Sequence, residues 1–423
     1  MAFVSLNPAT GRRVARHPSH PARETETRLA RAHAVFQGNR LARPADRTPA
    51  LRGLARTLRA ERDALGQLIT AEVGKPIAQA LAEVDKSAAA CDYAVRYGVR
   101  ALARIHPPGA PRNAEVVFAP LGVVLAIMPW NFPLWQAIRA AVPALLAGNT
   151  MLLKPAPTTA GITLALERAF TTAGFEPGAF QTALVEPPAI ARLIADPRIA
   201  GVTLTGSTRA GKSVGQLAGT AMKPAVFELG GSDAYLILED ADLDLAAERC
   251  AQARLVNSGQ SCVAAKRFIV VDRVRRAFEQ RFVDRMAAAR VGDPTLAATD
   301  VGPLARADLR DQLVRQTRLS VRRGARVLLE GGPQSGAGNF HTPVVLTDVQ
   351  PGMPAFDEEL FGPVAAIVPV RDEAAAVSAA NRSRYGLGAA VFGRRRRARD
   401  VAAQIEAGFV AINDFVRSDP ALP

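Results

Sequence analysis

Cysteine is scarce in this chain. Cys91, Cys250 and Cys262 are odd in number and far apart, which argues against a disulfide framework or a zinc site and suits a reducing, cytoplasmic compartment. No bound metal is expected. Long apolar runs are missing as well. The longest candidates, Pro120 to Met128 and Ile138 to Leu146, reach only strand or buried-helix length, so no membrane span is expected. The opening MAFVSLNPATGRRV has no charged stretch followed by an apolar one, hence no secretory signal. Aromatic residues make up only 5% of the chain. None of them interleaves the one dense basic run, Gly393-Arg394-Arg395-Arg396-Arg397-Ala398-Arg399, as base stacking would require. The net charge of +14 comes mostly from arginine spread along an alanine-rich sequence. We read the basic run as a solvated helix start and expect no nucleic-acid partner.

What is present is a chain of 423 residues, 48% hydrophobic and 22% charged, which suits a globular protein of two or three domains. NPATG at 7–11 is a turn, followed by a polar helical arm. Leu51, Leu54, Leu58, Leu65 and Leu68 recur at helical spacing and predict a helix over 49–68. After Gly74-Lys75-Pro76 a second helix is expected over 77–97. Residues 104–119 change character, with Pro107-Pro108-Gly109 and then Val116-Val117-Phe118, and read as a hairpin leaving the main body. From 123 onward short apolar strands (123–127, 151–153, 179–185, 201–205) alternate with amphipathic helices. The pattern restarts with strands at 235–238, 267–271, 327–329, 344–346, 364–370 and 408–413. Alternation of this kind predicts an α/β fold with two doubly wound parallel-sheet domains.

The chain is organised around LVNSGQSCVAAKR, residues 255–267, with Cys262 at its centre. A lone cysteine among small apolar residues is most often inert core. Its company changes that reading. Asn257 to Ser261 form a turn-like run in which a backbone N–H can point at whatever the sulfur attacks. Glu228 stands at the end of an apolar run in FELGGSD, and Asn131 between two prolines in MPWNFP. Thiol, carboxylate and amide donor are the parts needed for covalent chemistry on a carbonyl. Gly206-Ser207-Thr208 at a strand end opening a helix suits a pyrophosphate, and Lys154 in LLKPAP lies just past a strand end, where open sheets take ligands.

PWNFP, LLKPAP, TGS, ELGG, GQSC and EELFGP occur here in the order and rough spacing of the aldehyde dehydrogenases, which the chain resembles from NPATG to SDPALP. The stretches EVGKPIAQALAEVDKSAAACDY, GQSCVAAKRF and INDFVRSDPALP look most like the bacterial succinate-semialdehyde enzymes. The resemblance implies a dinucleotide-binding domain from 1–103 and 120–230, a small oligomerisation hairpin at 104–119 and a catalytic domain from 231–423. It implies that Cys262 is the nucleophile, that Asn131 with the Cys262 N–H holds the oxyanion, and that Glu228 activates water against the thioester. It further implies that Lys154 binds the adenosine ribose, that Gly206 and Ser207 face the pyrophosphate, and that Leu229 lies near the nicotinamide amide. Glu359 and Phe361 would then position the nicotinamide ribose and ring, and Trp130 and Pro157 belong to the same cofactor segments.

Arg139, eight residues after Asn131, matches the arginine with which the succinate-semialdehyde enzymes hold the far carboxylate. A second arginine that some members carry just before the loop asparagine is Val256 here, and Arg254 points elsewhere on its helix. Many NAD enzymes of the family carry a glutamate where this chain has Pro157, so NAD and NADP both stay open. Family members continue past ALP into FGGxKxSGxGRE and a terminal strand. The expectation is therefore a family homo-oligomer weakened by a missing strand, with a cofactor-binding but inactive protein as the alternative to an active enzyme. A cysteine hydrolase acting on esters would need none of the nucleotide motifs.

Overall fold

The computed structural model describes residues 2–422. Strands β1 (Ala2–Leu6) and β2 (Arg13–Pro18) pair antiparallel around the Asn7–Gly11 turn. A helix at Ala22–Asn39 follows. The single helix expected over 49–68 is two, Thr48–Ala60 and Arg62–Val73, broken at Glu61. The break lets Leu51, Leu54 and Leu58 and then Leu65, Ile69 and Val73 all enter one core beside Val84, Ala88 and Cys91 of the helix Ile77–Tyr93. That helix does not run on regularly to 97. It widens into a π turn at Ala94–Gly98, where Tyr93 and Tyr97 meet with ring centres 4.8 Å apart.

The first large sheet has five parallel strands: β3 (Val123–Ile127), β4 (Thr150–Lys154), β5 (Phe180–Thr182), β6 (Ile199–Thr205) and β7 (Ala225–Glu228), in the order β5-β4-β3-β6-β7. Its apolar strands are sandwiched between helices, because each side of a parallel sheet must be covered. The second sheet has seven strands: β8 (Asp233–Ile237), β9 (Ala265–Val271), β10 (Arg326–Leu329), β11 (Val344–Thr347), β12 (Val364–Val370), β13 (Gly388–Phe392) and β14 (Phe409–Ile412). Their order is β10-β11-β12-β9-β8-β13-β14, with only β10 antiparallel to its neighbour. This is the expected α/β architecture of two wound sheets.

Three features depart from the sequence reading. Residues 104–119 form no regular strands: their two arms are tied by one antiparallel bridge, Ile105 with Val116, the Arg104–Glu115 ion pair and a His106–Ala114 contact, and Ile105, Val116, Val117 and Phe118 are exposed. The helices Ala307–Arg322 and Glu373–Asn381 and strand β13, next to the edge of its sheet, were not foreseen. β13 reads GAAVF, too rich in small residues to announce a strand. β7 is an edge strand whose Val226 and Phe227 are exposed, so its alternation is weak.

The first sheet switches direction between β3 and β6, and ligands of open α/β sheets sit at such a switch, outside the carboxyl ends of the strands. MPWNFP leaves the end of β3 and Gly206-Ser207 the end of β6. The second sheet turns its opposite edge to this place. Cys262 precedes β9, Glu359–Gly362 precedes β12, and Arg384-Tyr385 precedes β13. Among the described residues no helix is long and apolar enough to cross a membrane.

Candidate active site

A cavity of about 560 Å³ lies where the two sheet edges meet, lined among others by Trp130, Asn131, Gly206, Ser207, Leu229, Cys262, Glu359 and Phe361. Eight of the residues singled out in the sequence thus share one space.

The Cys262 loop is held in an unusual conformation. Asn257 and Ser258 adopt positive φ (50° and 56°), as does Gly259 at 78°. A side-chain carbon on Gly259 would sit 2.3 Å from the Gly362 carbonyl carbon, so the loop can lie against the Glu359–Gly362 segment only because this residue is glycine. Backbone held this way persists when its surroundings over-determine it, and here they do. Ser258 Oγ accepts from the Gly302 N–H at 2.9 Å, Gln260 Oε1 from the Ala305 N–H at 2.9 Å, and buried Arg254 donates to the Gly259 carbonyl at 2.6 Å. Arg254 is therefore a prop for the loop and not a substrate cation. Lys266 donates to the carbonyls of Ser261, Cys262 and Ala264 at 3.1, 2.7 and 3.0 Å.

Asn131 is locked to the same loop. Its Nδ2 donates to the Gln260 backbone carbonyl at 3.0 Å, while the Asn131 backbone carbonyl accepts from Asn257 Nδ2 at 2.8 Å. An amide carries two N–H hydrogens, so one remains for a substrate oxygen. The helix that follows, Pro133–Leu146, has its first N–H groups bound by Glu83. One oxygen, Oε1, accepts from Leu134 and Trp135 at 3.0 and 2.9 Å. The other accepts from buried Lys75, whose ammonium also lies 3.7 Å over the Phe132 ring.

Burial pushes the Cys262 thiol up to about 11. Lys266 and Arg139 pull it down, while Asp233 and Glu359 push further up. Glu359 accepts from the Gly231 N–H at 3.1 Å and lies 3.7 Å from Lys266. Gly230 leaves room for the Glu359 carboxylate in this position, because a Cβ there would come 2.3 Å from it and push the side chain aside. Trp130 and Phe361 meet edge to face at 5.8 Å.

Glu228 is engaged by a cation. It ends β7, does not line the cavity, and its carboxylate stands 3.6 Å from the Arg139 guanidinium. Arg139, Lys154 and Pro157 also lie outside the cavity lining. Lys154 ends β4 half-buried, its ammonium pulled below the usual range by burial alone.

The residues fit a nicotinamide dinucleotide. Ser207 caps the helix Thr208–Thr220, its Oγ accepting from the Ala210 N–H at 3.3 Å, and the positive end of that helix opens on the cavity. Gly211 lets the helix pass close to Leu229, since a Cβ would meet the leucine Cδ2 at 2.6 Å. Arg209 and Arg384 add positive charge to the lining.

The aldehyde dehydrogenase family pattern matches residues 1–423. The chain belongs to that family. It is 44% identical over 417 residues to the succinate semialdehyde dehydrogenase [NAD(P)+] Sad of Escherichia coli strain K12, covering 98% of this chain and 90% of that protein. A probable succinate-semialdehyde dehydrogenase [NADP(+)] of Synechocystis is 42% identical over 424 residues, covering 100% of this chain and 93% of the relative. Among solved structures, Gox0499, studied for cofactor and substrate selection, superposes with a TM-score of 0.98 at 38% identity, over 100% of this chain and 93% of that one. The succinic semialdehyde dehydrogenase of Streptococcus pyogenes in complex with NADP+ has a TM-score of 0.96 at 32% identity, with the same coverage of both chains.

For an aldehyde dehydrogenase, sequence reasoning overlooked the far wall of the cavity. Leu309, Gln312, Leu313 and Gln316 come from the unforeseen helix Ala307–Arg322, and Arg384-Tyr385 from the turn before β13. Gln316 donates to Glu358 Oε2 at 2.8 Å and to the Glu359 carbonyl at 3.3 Å, fixing the EELFGP segment. A polar stripe on an arginine-rich helix carries no signal that separates it from a solvated face.

Proposed function

We propose that this chain oxidises an aldehyde, succinate semialdehyde, to the carboxylic acid with NAD(P)+ through a covalent cysteine adduct. The observation that carries this is Cys262 sharing one cavity with the Asn131 amide and the capped helix start at Ser207. Cys262 Sγ bonds the aldehyde carbon, and the carbonyl oxygen takes the free Asn131 N–H and the Cys262 backbone N–H. NAD(P)+, when bound, supplies the hydride acceptor. Loss of hydride from the thiohemiacetal carbon leaves a thioester on Cys262. Glu228 then takes a proton from water as the water oxygen bonds the acyl carbon. The C–S bond breaks and Cys262 departs as thiolate.

In this reading Gly206 and Ser207 hold the pyrophosphate and Lys154 the adenosine ribose. Glu359, Phe361, Trp130 and Leu229 hold the nicotinamide end. Pro157 offers a ribose 2′-hydroxyl no acceptor and a 2′-phosphate no repelling charge, which accommodates NADP as well as NAD. Arg139, whose charge reaches Cys262, holds the far carboxylate of the substrate. No finding favours the alternative of cofactor binding without turnover.

The test is formation of reduced nucleotide from succinate semialdehyde by the wild type and by Cys262→Ala. Turnover that this substitution abolishes is expected. Undiminished turnover in the variant would remove Cys262 from the mechanism.

A further inference from the structure

Arg139 has two anions to serve. Its guanidinium lies 3.6 Å from Glu228 with both side chains about one-third exposed, and its charge also stabilises the Cys262 thiolate. The cation is therefore shared by the nucleophile and the carboxylate assigned to activate water, and neither Arg139 nor Glu228 is among the residues lining the cavity. We propose that the Arg139–Glu228 pair holds the general base back, and that a substrate carboxylate arriving on Arg139 displaces Glu228 and frees it for deacylation. This rests on the reading of Cys262, Glu228 and Arg139 given above.

The physical argument is competition for one guanidinium. Glu228 sits at the end of edge strand β7 with its side chain about one-third exposed, so rotation about its side-chain bonds is enough to carry the carboxylate away from Arg139. A partly exposed pair at this separation biases the carboxylate modestly, by about fivefold in population. A carboxylate on the substrate's far end is placed by the covalent bond at Cys262, so it competes at high effective concentration. A neutral aldehyde cannot compete, and its thioester waits for the minor population of free Glu228. The device converts the substrate's remote charge into a gain in kcat, beyond the gain in affinity that the same contact provides.

Acetaldehyde and acetate together supply the four carbons and the carboxylate of succinate semialdehyde as two pieces. With the intact wild-type enzyme and saturating nucleotide, adding acetate is expected to raise acetaldehyde turnover, up to about fivefold. In Arg139→Met the acetaldehyde kcat is expected to start about fivefold higher than in the wild type and to ignore acetate. The same variant should show a raised KM for succinate semialdehyde. An Arg139 that only bound substrate would give no stimulation by acetate and an unchanged kcat for acetaldehyde, and either result overturns the proposal. If Arg139→Met does not fold, the wild-type response to acetate decides alone. Robust oxidation of succinate semialdehyde together with no acetate effect would defeat this inference and leave the reaction standing. Failure to oxidise either aldehyde would defeat both.

Discussion

Cys262 is caught between opposing demands. A nucleophile must ionise, yet the enclosed site that shields its adduct from water disfavours charge. With the thiol pushed up to about 11, only about one molecule in ten thousand carries the thiolate at pH 7. Because the pKa is raised, reactivity should climb about tenfold per pH unit and level off only as pH approaches that value. Alkylation of Cys262 by iodoacetamide in the nucleotide-free protein, followed from pH 7 to 10, checks this. A plateau near pH 8.5, the behaviour of an ordinary thiol, would contradict it. Lys266 works in the opposite direction to burial. Lys266→Met should slow alkylation at every pH below the plateau, provided the variant retains its fold by circular dichroism. Cys262 was legible in the sequence as the candidate nucleophile because GQSC arrives with PWNFP and ELGG. Its environment was not, since the groups that set its charge, Asp233, Lys266 and Glu359, converge only through folding.

At the scale of elements, the site depends on loops whose conformation is imposed from outside. Gly259 combines a left-handed backbone with contact against Gly362. Gly259→Ala should therefore cost about 2–4 kcal/mol in stability and pull the loop off the Glu359–Gly362 segment, with loss of turnover. Thermal or denaturant unfolding measures the first effect, and an unchanged midpoint would show that the backbone can yield. The Lys75–Glu83 pair acts on the other wall by closing the start of Pro133–Leu146, directly behind Asn131. Glu83→Gln leaves Lys75 buried without its counter-charge, and about 3–5 kcal/mol of stability should go with it. A denaturation midpoint within error of the wild type would sink that account.

The sequence announced the strands of the first sheet well, because a strand covered on both faces must be apolar throughout, as VVLAI at 123–127 and MLL at 151–153 are. It announced β13 and the helix Ala307–Arg322 poorly. The former relies on neighbours β8 and β14 and not on bulky residues of its own, and the latter buries only Leu313, Gln316 and Ser320. Motif order picked out the candidate chemical residues, but the ion pair that engages Glu228 needed coordinates. Arg139 and Glu228 lie 89 positions apart, on a helix and an edge strand that no periodicity connects.

At the scale of the molecule, a chain with fourteen more basic than acidic side chains presents a cleft between two sheets with Arg209 and Arg384 in its lining and Arg139 close to the thiol. Both reactants of the proposed reaction, the dinucleotide and a semialdehyde bearing a carboxylate, are anions. Positive potential focused in a cleft raises the encounter rate of anions, and added salt screens it beyond about 10 Å at 0.1 M ionic strength. The value of kcat/KM for succinate semialdehyde should therefore fall roughly severalfold between low salt and 0.5 M sodium chloride. That for acetaldehyde, neutral and indifferent to the field, should change little under the same saturating nucleotide. Equal loss for both aldehydes would point to salt acting on the protein itself. No loss for either would mean that the arginine excess serves the surface and not the cleft.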